Sequence, residues 1–521
     1  MSAVHDAAVT PTFRGLFPSR QAEVTPPTRR ERVVFGLMCA LLVLPVWLVG
    51  AWEVWAQEVT LALAILAFAA LFVPMFDYRG WPPSPSARMV WSRLKAFPVF
   101  WIGLAILAYG GLAAVNPSRT LVIVDQRSWL ENLPHVTWLP HGIIAPFSPM
   151  NAWHALMIVI PAWLAVCTAW AGLETERSWR RLLGTVAANG TVLALVGMIQ
   201  GVSGTRKMFG LYDLEPNNSD PEFFGSFGWA GHAAGWMVLA FGAIAAMMDH
   251  SLRRRDPLAP ARRWGWPALT TWAWLGALVV IFVALALFIK PDFWLLAASG
   301  VLLISVWLWL GRLWREGQKR RAALYALPAL IFMAALLLGA GGAVLLWRQG
   351  GAAKNLEVNP HDPALPERYA FARTSAVMIK DAPLLGWGPG SFRYVSPYYL
   401  AKNPRFNDPA HPGDVRYGLH YALSDWVQLP AEWGLLGAGL FLAAAGWWLQ
   451  TAWRMRSVLP GESWITFGAV AMIFGAAVVD CPFYNPAVLI AVAVLPAVAV
   501  KLGEFSARPR PALSQVVVAC P

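Results

Sequence analysis

The residues whose side chains could most readily take part in a reaction lie in one polar stretch, residues 348–431. The rest of the chain is rich in long apolar runs. This stretch contains Arg373, Arg416, His420 and Asp425. Arginine can hold a phosphate through charge-assisted hydrogen bonds, and a histidine or a carboxylate can accept a proton from a hydroxyl group. Together, these residue types would suit the transfer of a group from a phosphorylated donor to a hydroxyl acceptor.

Further cations lie in other polar segments. Lys290 stands alone in a three-residue turn between two apolar runs, where it could hold a diphosphate at the bilayer edge. The alternative is a lysine that only extends to the lipid headgroups. Arg206 and Lys207 form a candidate pair, with an ordinary polar loop contact as the alternative. Arg393 completes the set of cations, and for Arg373 the alternative is a solvated helix face.

The candidate bases are His420 and Asp425, which lie five residues apart. Residues at this spacing do not share a helix face, so the two side chains need not act together. A third polar candidate is His232, which lies two turns into a predicted membrane span. A histidine in a span is a functional candidate, with a hydrogen bond between helices as the alternative.

A glycine-rich turn follows within the polar stretch, with Gly386, Gly388 and Gly390 alternating with Trp387 and Pro389. Alternating glycines can form a phosphate cradle, but this spacing alone is a weak signal. The simpler interpretation is a tight structural turn. The sequence contains no Walker A motif, no HExxH, no Asp-x-Asp pair and no Cys/His zinc spacing. We therefore predict no metal and no cofactor.

The composition indicates an integral membrane protein, because 57% of the 521 residues are hydrophobic and only 13% are charged. The short cytoplasmic loops of membrane proteins carry an excess of lysine and arginine, which accounts for the net charge of +12. The charge therefore does not indicate a nucleic-acid partner. A span needs about 20 mostly apolar residues. The sequence predicts an all-α polytopic membrane protein with about twelve transmembrane helices, at residues 33–52, 59–76, 96–115, 150–171, 182–201, 225–248, 267–288, 293–311, 323–346, 432–453, 463–480 and 487–502.

Most lysines and arginines of the short loops fall on one side of this arrangement, the side that also holds both termini. By the positive-inside rule that side is cytoplasmic. The predicted organisation is listed here in chain order: a cytoplasmic tail at 1–32, nine transmembrane helices in 33–346, one large outer loop at 347–431, three more transmembrane helices in 432–502 and a second cytoplasmic tail at 503–521. Within the large loop, the apolar periodicity predicts a helix from Pro366 to Lys380.

An enzyme that works outside the cytoplasm has no nucleotide pool, so its donor must arrive already activated in the membrane. A sugar linked to a lipid diphosphate is such a donor. Transfer would require cations to hold the diphosphate and a base to take the proton of the acceptor hydroxyl.

Three segments resemble the O-antigen ligase and O-antigen polymerase family. They are RTSAVMIKDAPLLGWGPGSF at 373–392, DWVQLPAEWGLLG at 425–437 and GSFGWAGHAAG at 225–235. The family's twelve spans and its large loop between spans nine and ten are also matched by the predicted topology. The resemblance implies a GT-C-like fold.

The resemblance also implies a function and a location. It implies a metal-independent glycosyltransferase in surface polysaccharide or exopolysaccharide biosynthesis, in a bacterial inner membrane with its active face in the periplasm. The donor would be a glycan on undecaprenyl diphosphate. The acceptor would be a lipid A core, as in lipopolysaccharide biosynthesis, or another carrier-linked glycan, and polysaccharide assembly proteins would be possible partners.

The sequence departs from the family pattern at the base. The family usually has His-x-His-Asn before the aspartate that matches Asp425, and its proposed base corresponds here to Leu423. His420 lies one turn earlier and could substitute. The family's Ser-Arg-Gly between spans seven and eight is replaced by Ile289-Lys290-Pro291, which keeps the charge but not the bidentate fork.

Three hypotheses follow from these observations. The first is a periplasm-facing glycosyltransferase. The second is a catalytically silent relative that binds a lipid-linked glycan or scaffolds polysaccharide assembly, as Leu423 would allow. The third is a transporter, which should place several charged residues deep within its spans.

Overall fold

The computed structural model describes residues 26–74, 84–124, 127–148, 150–205, 207–211, 223–253, 269–289, 293–315, 365–402 and 421–507. Helices dominate these residues. In chain order they are α1 (Arg29–Trp47), α2 (Val54–Ala69), α3 (Ala87–Lys95), α4 (Pro98–Val115), α5 (Ala152–Gly172), α6 (Glu176–Ser203), α7 (Ala230–Arg253), α8 (Leu269–Phe288), α9 (Phe293–Arg315), α10 (Leu365–Asp381), α11 (Phe392–Leu400), α12 (Asp425–Arg454), α13 (Gly461–Ala476) and α14 (Pro486–Ala507).

Seven of the described helices are long and apolar enough to cross a membrane: α4, α5, α6, α7, α8, α12 and α14. Every predicted span except the ninth overlaps a described helix, and the ninth, at 323–346, lies outside the described residues. The chain is thus a mostly helical protein that crosses the membrane several times.

Helix α7 lies at the centre of the bundle and packs against α6, α8, α9 and α13. Small residues permit this close packing. A Cβ atom added at Gly190 of α6 would lie 2.1 Å from the Cβ of Ala240, and one added at Gly242 would lie 2.3 Å from the Cβ of Ala469 in α13. The close packing of these helices determines the positions of the polar residues that they carry.

Side-chain caps start two of the spanning helices. The Asn151 side chain accepts the backbone N–H of His154 at the start of α5, and Thr175 accepts that of Ser178 at the start of α6. Such caps satisfy N–H groups that the first helical turn leaves without a partner.

A small β-sheet corrects the all-α expectation. Strands β1 (Pro117–Val124), β2 (Arg127–Asn132) and β3 (Gly142–Ile144) form a sheet in the order β2-β1-β3. Strand β1 pairs antiparallel with β2 and parallel with β3. The run from Thr120 to Val124 is rich in β-branched residues, which favour strands. We call the end of the bundle that carries this sheet the sheet end.

The described parts of the polar stretch, residues 365–402 and 421–431, fold against the sheet end. Helix α10, at Leu365–Asp381, confirms the helix predicted from Pro366 to Lys380, and the aromatic-rich stretch after the glycines forms α11. Helix α12 begins at Asp425, well before the predicted start of the tenth span at residue 432. Within α12, Gly434 has φ 65° and ψ 176°, so the helix axis is interrupted there.

Candidate functional site

The structure places only some of the predicted site residues. Arg206, Lys290, Arg416 and His420 lie outside the described residues. Lys207 has an exposed side chain, as does Arg373 on α10. His232 and Asp425 are both buried, and both lie at the sheet end next to the turn that joins α13 to α14.

The glycine-rich loop clasps α12 at its interruption. The N–H of Trp387 donates to Ala431 O at 2.9 Å, and that of Gly388 donates to Glu432 O at 2.8 Å. In the other direction, the N–H of Leu435 donates to Pro383 O at 2.8 Å. The loop therefore binds the backbone of α12 on both sides of Gly434, and we call this arrangement the clasp.

The carboxylate of Glu432 is bound inside the clasp. It accepts hydrogen bonds from the N–H groups of Gly390 at 2.9 Å and Phe392 at 3.1 Å. It also accepts from the Tyr484 hydroxyl at 2.8 Å and from the Gln428 amide at 3.2 Å. The anion held by these two loop N–H groups is therefore a side chain of the protein itself, which makes Glu432 a structural residue.

Tyr484 lies in a short 3-10 turn, Pro482–Tyr484, outside the spanning helices. Burial raises the pKa of its phenol well above the ordinary value, and the nearby carboxylates of Glu432 and Asp425 raise it further. The phenol therefore keeps its proton at neutral pH and remains a donor to Glu432.

Replacing Tyr484 with phenylalanine should lower the free energy of unfolding by about 1.5–3 kcal/mol, the usual range for a hydrogen bond to a charged group. The measurement is the thermal midpoint of the purified protein in detergent. Tyr398→Phe is the matched control, because the Tyr398 side chain is 64% exposed. Equal midpoints for the two variants would contradict the structural role of the Tyr484 hydroxyl.

Asp425, the first residue of α12, is only 3% exposed. Its backbone N–H donates to Ala477 O at 2.9 Å and to Asp480 O at 3.2 Å, and its Oδ2 accepts the N–H of Phe483 at 3.0 Å. Its Oδ1 is buried and has no hydrogen-bond partner among the described residues. A buried carboxylate oxygen without a partner is energetically costly, and a catalytic role is one of the reasons why a native structure keeps such a group.

The neighbouring carboxylate of Asp480 is, in contrast, well satisfied. Its Oδ1 accepts the N–H of Cys481 at 2.8 Å and lies 3.7 Å from Nη1 of Arg368, and its Oδ2 accepts the indole N–H of Trp294 at 3.1 Å. Arg368 extends from α10 into the bundle and also donates to Val479 O at 2.9 Å. The buried ion pair thereby attaches the polar stretch to the α13–α14 turn.

His232 belongs to the same cluster. It lies in the first turn of α7, not two turns in, because α7 begins only at Ala230. Its Nε2 lies 3.1 Å from Cys481 O, which is an acceptor, so Nε2 carries the proton. Its Nδ1 is buried without a hydrogen-bond partner among the described residues.

A groove of about 1290 Å³ begins at this cluster. It runs between α4, α5, α9, α12, α13 and α14, and its described lining extends along α12 from Asp425 to Ala452. Beyond the interruption at Gly434, the part of this lining from Leu435 to Ala452 is roughly 26 Å of helix at 1.5 Å per residue, most of the thickness of the apolar core of a bilayer. Asp425 is the only charged residue among the described residues that line it. An acyl or prenyl chain would suit such a lining.

The arrangement therefore defines a class: a multi-pass membrane protein with a buried polar cluster at one end of an apolar groove. Residues 293–442 match a family model described as O-Antigen ligase. This match confirms the family resemblance, and the matched segment includes Arg368, Asp425, Glu432 and the clasp. No curated protein matches the chain.

The backbone of Leu423, two residues before Asp425, has an unusual conformation. Leu423 has φ 51° and is buried. Leucine is uncommon in this left-handed region, whereas asparagine, aspartate and histidine are enriched there. The conformation therefore suits an asparagine, an aspartate or a histidine at this position better than it suits leucine.

Sequence reasoning assigned no site role to several members of the cluster, namely Arg368, Asp480, Glu432, Tyr484 and Trp294. Two of them had a readable signal. Asp480 and Glu432 both fall at the ends of predicted spans, and acidic residues at such positions are candidates for function or for pairing. The other three carry no such signal, since a loop arginine, a tyrosine in a turn and a tryptophan at a helix end are common.

Proposed function

We propose that this protein transfers a glycan from a lipid-diphosphate carrier of the undecaprenyl type to a sugar hydroxyl, without a metal. The observation that carries the proposal is the free Oδ1 of Asp425 at the end of the apolar groove. The groove would hold the prenyl chain of the carrier. The sheet end would face the periplasm of a bacterial inner membrane, with both termini in the cytoplasm.

In the proposed reaction, the acceptor hydroxyl attacks the anomeric carbon of the donor sugar, and the bond from that carbon to the diphosphate oxygen breaks. Asp425 takes the hydroxyl proton through its Oδ1, in the place where the family usually has a histidine two residues earlier. The carrier leaves as the diphosphate, which carries the negative charge.

The cations that we propose to hold the diphosphate are those indicated by the sequence. They are Lys290, Arg206, Lys207, Arg373 and Arg416, with His420 as the alternative base. Arg393 is a further candidate, because its charge acts on the phenol of Tyr421, whose ring lies 5.2 Å from that of Tyr484 beside the clasp.

Filling the groove should prevent transfer. Gly439 lines the groove and has open space where a Cβ would lie, so Gly439→Phe should fold and obstruct the lipid chain. We expect at least a tenfold loss of transfer, measured in membranes with radiolabelled lipid-linked glycan from the producing cells. Gly276→Phe on α8 is the matched control, because Gly276 is also in open space and does not line the groove.

Equal transfer by the two phenylalanine variants would contradict the assignment of the groove to the carrier. Deletion of the gene provides the cellular test of the same proposal. Loss of the lipopolysaccharide O-chain would indicate a ligase, whereas loss of long polymer would indicate a polymerase. Unchanged lipopolysaccharide and exopolysaccharide would contradict glycan transfer altogether.

A second candidate function is favoured by Leu423, the non-titratable residue at the family's base position. A catalytically silent protein would bind the lipid-linked glycan or scaffold its assembly. It predicts that the purified wild-type protein binds the labelled lipid-linked glycan but shows no turnover, and that Leu423→His alters activity more than His420→Ala does. Loss of all transfer in His420→Ala would reject it.

A further inference from the structure

One face of the β-sheet carries an exposed tryptophan, Trp129. In the β1–β2 pair, Val122 lies opposite Trp129, and Thr120 lies opposite Glu131. Because side chains alternate along a strand, these four residues share one face of the sheet. The Trp129 side chain is 44% exposed, and Glu131 is also exposed.

The opposite face of the sheet packs against the clasp. The Arg119 guanidinium lies over the Trp387 ring at 4.3 Å from its centroid, and Leu130 packs on the apolar cluster that includes Phe392. A Cβ added at Gly388 would lie only 2.5 Å from Cα of Gly142 in β3. The sheet is therefore continuous with the site, and its free face extends away from the clasp.

Local hydrogen bonds hold the Trp129 ring and the backbone on either side of Trp138. The indole N–H of Trp129 donates to Oε1 of Glu131 at 3.0 Å, which fixes the ring beside a carboxylate. Trp138, 76% exposed, lies in a segment that Asn116 holds. The Asn116 side chain donates to Val136 O at 3.0 Å and to Pro140 O at 3.1 Å, and it accepts the N–H of Val136 at 2.9 Å.

A fixed aromatic ring beside a carboxylate is suited to a saccharide. The C–H face of a sugar ring is apolar and can cover an indole, while its hydroxyl groups donate to a neighbouring carboxylate. An aromatic ring that is already ordered loses little conformational entropy on binding. Glu131 beside Trp129 makes the same face unsuited to the apolar interior of a bilayer, because a buried charge there is costly.

We propose that this face is a saccharide-binding subsite, in which Trp129 stacks on a sugar ring of the glycan and Glu131 accepts its hydroxyl hydrogens. Trp138 provides a second stacking position along the same glycan. The inference rests on the proposed function, since it assigns the sheet to the sugar chain of the substrate whose lipid end lies in the groove. It adds a binding site remote from the reacting bond.

The test uses the purified full-length protein and fluorescently tagged oligosaccharides released by mild acid from the lipid-linked glycans of the producing cells. Trp129→Ala is expected to raise the dissociation constant for these oligosaccharides at least tenfold, with a similar effect for Trp138→Ala. The matched control is Trp272→Ala on α8, because Trp272 is 46% exposed and lies far along the chain from the sheet. We expect its affinity to equal that of the wild type.

The outcomes separate this inference from the proposed function. Unchanged affinity in Trp129→Ala would overturn the subsite, even if transfer itself is confirmed with other variants. Loss of affinity in a protein that shows no transfer would support the subsite and contradict the proposed function. If Trp129→Ala changes the oligomeric state or a co-purifying protein but leaves oligosaccharide affinity unchanged, the face is a protein contact and the subsite is rejected.

Discussion

Replacing Asp425 with asparagine is expected to lower glycan transfer by about 100-fold or more, the usual contribution of a positioned general base. Asparagine has nearly the same shape as aspartate, and its amide oxygen can still accept the N–H of Phe483 that Oδ2 accepts now. The fold should therefore survive while the proton acceptor is lost. The measurement is transfer from radiolabelled lipid-linked glycan, normalised to the amount of monodisperse protein.

The matched control for Asp425→Asn is Glu504→Gln. Glu504 lies in α14 and pairs with Lys501 at 2.9 Å, with 37% of its side chain exposed, so its neutralisation should leave transfer unchanged. Wild-type transfer in Asp425→Asn would contradict the assignment of the base. If His420→Ala abolishes transfer while Asp425→Asn retains it, the histidine is the base and the cluster around Asp425 is structural.

The choice of Asp425 over Asp480 follows from their surroundings. Asp480 lies beside the Arg368 guanidinium and accepts two further hydrogen bonds, so its charge is compensated and both of its oxygens are engaged. Asp425 has one engaged oxygen and one without a partner among the described residues, and it lines the groove. Only the second arrangement leaves a carboxylate oxygen that accepts no hydrogen bond from the described residues.

The second large effect is expected from Gly434→Ala, which should lower the free energy of unfolding by about 3 kcal/mol or more. The backbone at φ 65° and ψ 176° is in a region that is essentially restricted to glycine. A Cβ there would lie 2.2 Å from Leu384 O and 2.5 Å from Leu384 C. These are backbone atoms, so the contact cannot be relieved by rotating a side chain.

Gly439→Ala is the control for this variant, because it lies five residues later in the same helix with nothing within 4 Å of its added Cβ. Alanine is favoured over glycine in a helix by about 1 kcal/mol, so this variant should be neutral or slightly more stable. Stability is measured as the thermal midpoint of monodisperse protein in detergent. A shared midpoint for the two alanine variants would contradict the proposed strain at Gly434.

Loss of the clasp should also lower glycan transfer, because the clasp helps to position the first turns of α12. The loop that packs on Gly434 supplies two of the four hydrogen bonds to Glu432, and Glu432 lies about two turns after Asp425 in α12. The family match includes both residues and the loop. The clasp therefore explains why the glycines of this segment are spaced as they are without assigning them to a phosphate.

The helical part of this protein could be predicted from the sequence because its cause is local. A run of about 20 apolar residues must form a helix in a bilayer, since only a helix satisfies every backbone polar group within the segment. The helix from Pro366 to Lys380 was predicted from a different local signal, a proline near its start and apolar residues at helical spacing. The family resemblance was likewise carried by contiguous motifs.

What the sequence left open depends on contacts between distant segments. The sheet was missed because strand pairing between residues 117–124 and 142–144 is set by register, not by a run of one residue type. The Arg368–Asp480 pair joins residues 112 positions apart (480 − 368). Glycine can adopt many φ angles, and at Gly434 the backbone packed against it decides which one is adopted. The sequence therefore shows the glycine but not its φ angle.

The sequence by itself determined an apolar chain that crosses the membrane several times, a polar stretch with residues for proton and phosphate chemistry, and a resemblance to the O-antigen ligase family. The tertiary structure alone decided which of these residues meet. It placed Asp425, His232 and Asp480 around one turn and bound the glycine-rich loop to Glu432. The physical reason is that burial and hydrogen-bond satisfaction depend on the whole set of neighbours in space, whereas apolar length is a property of one segment.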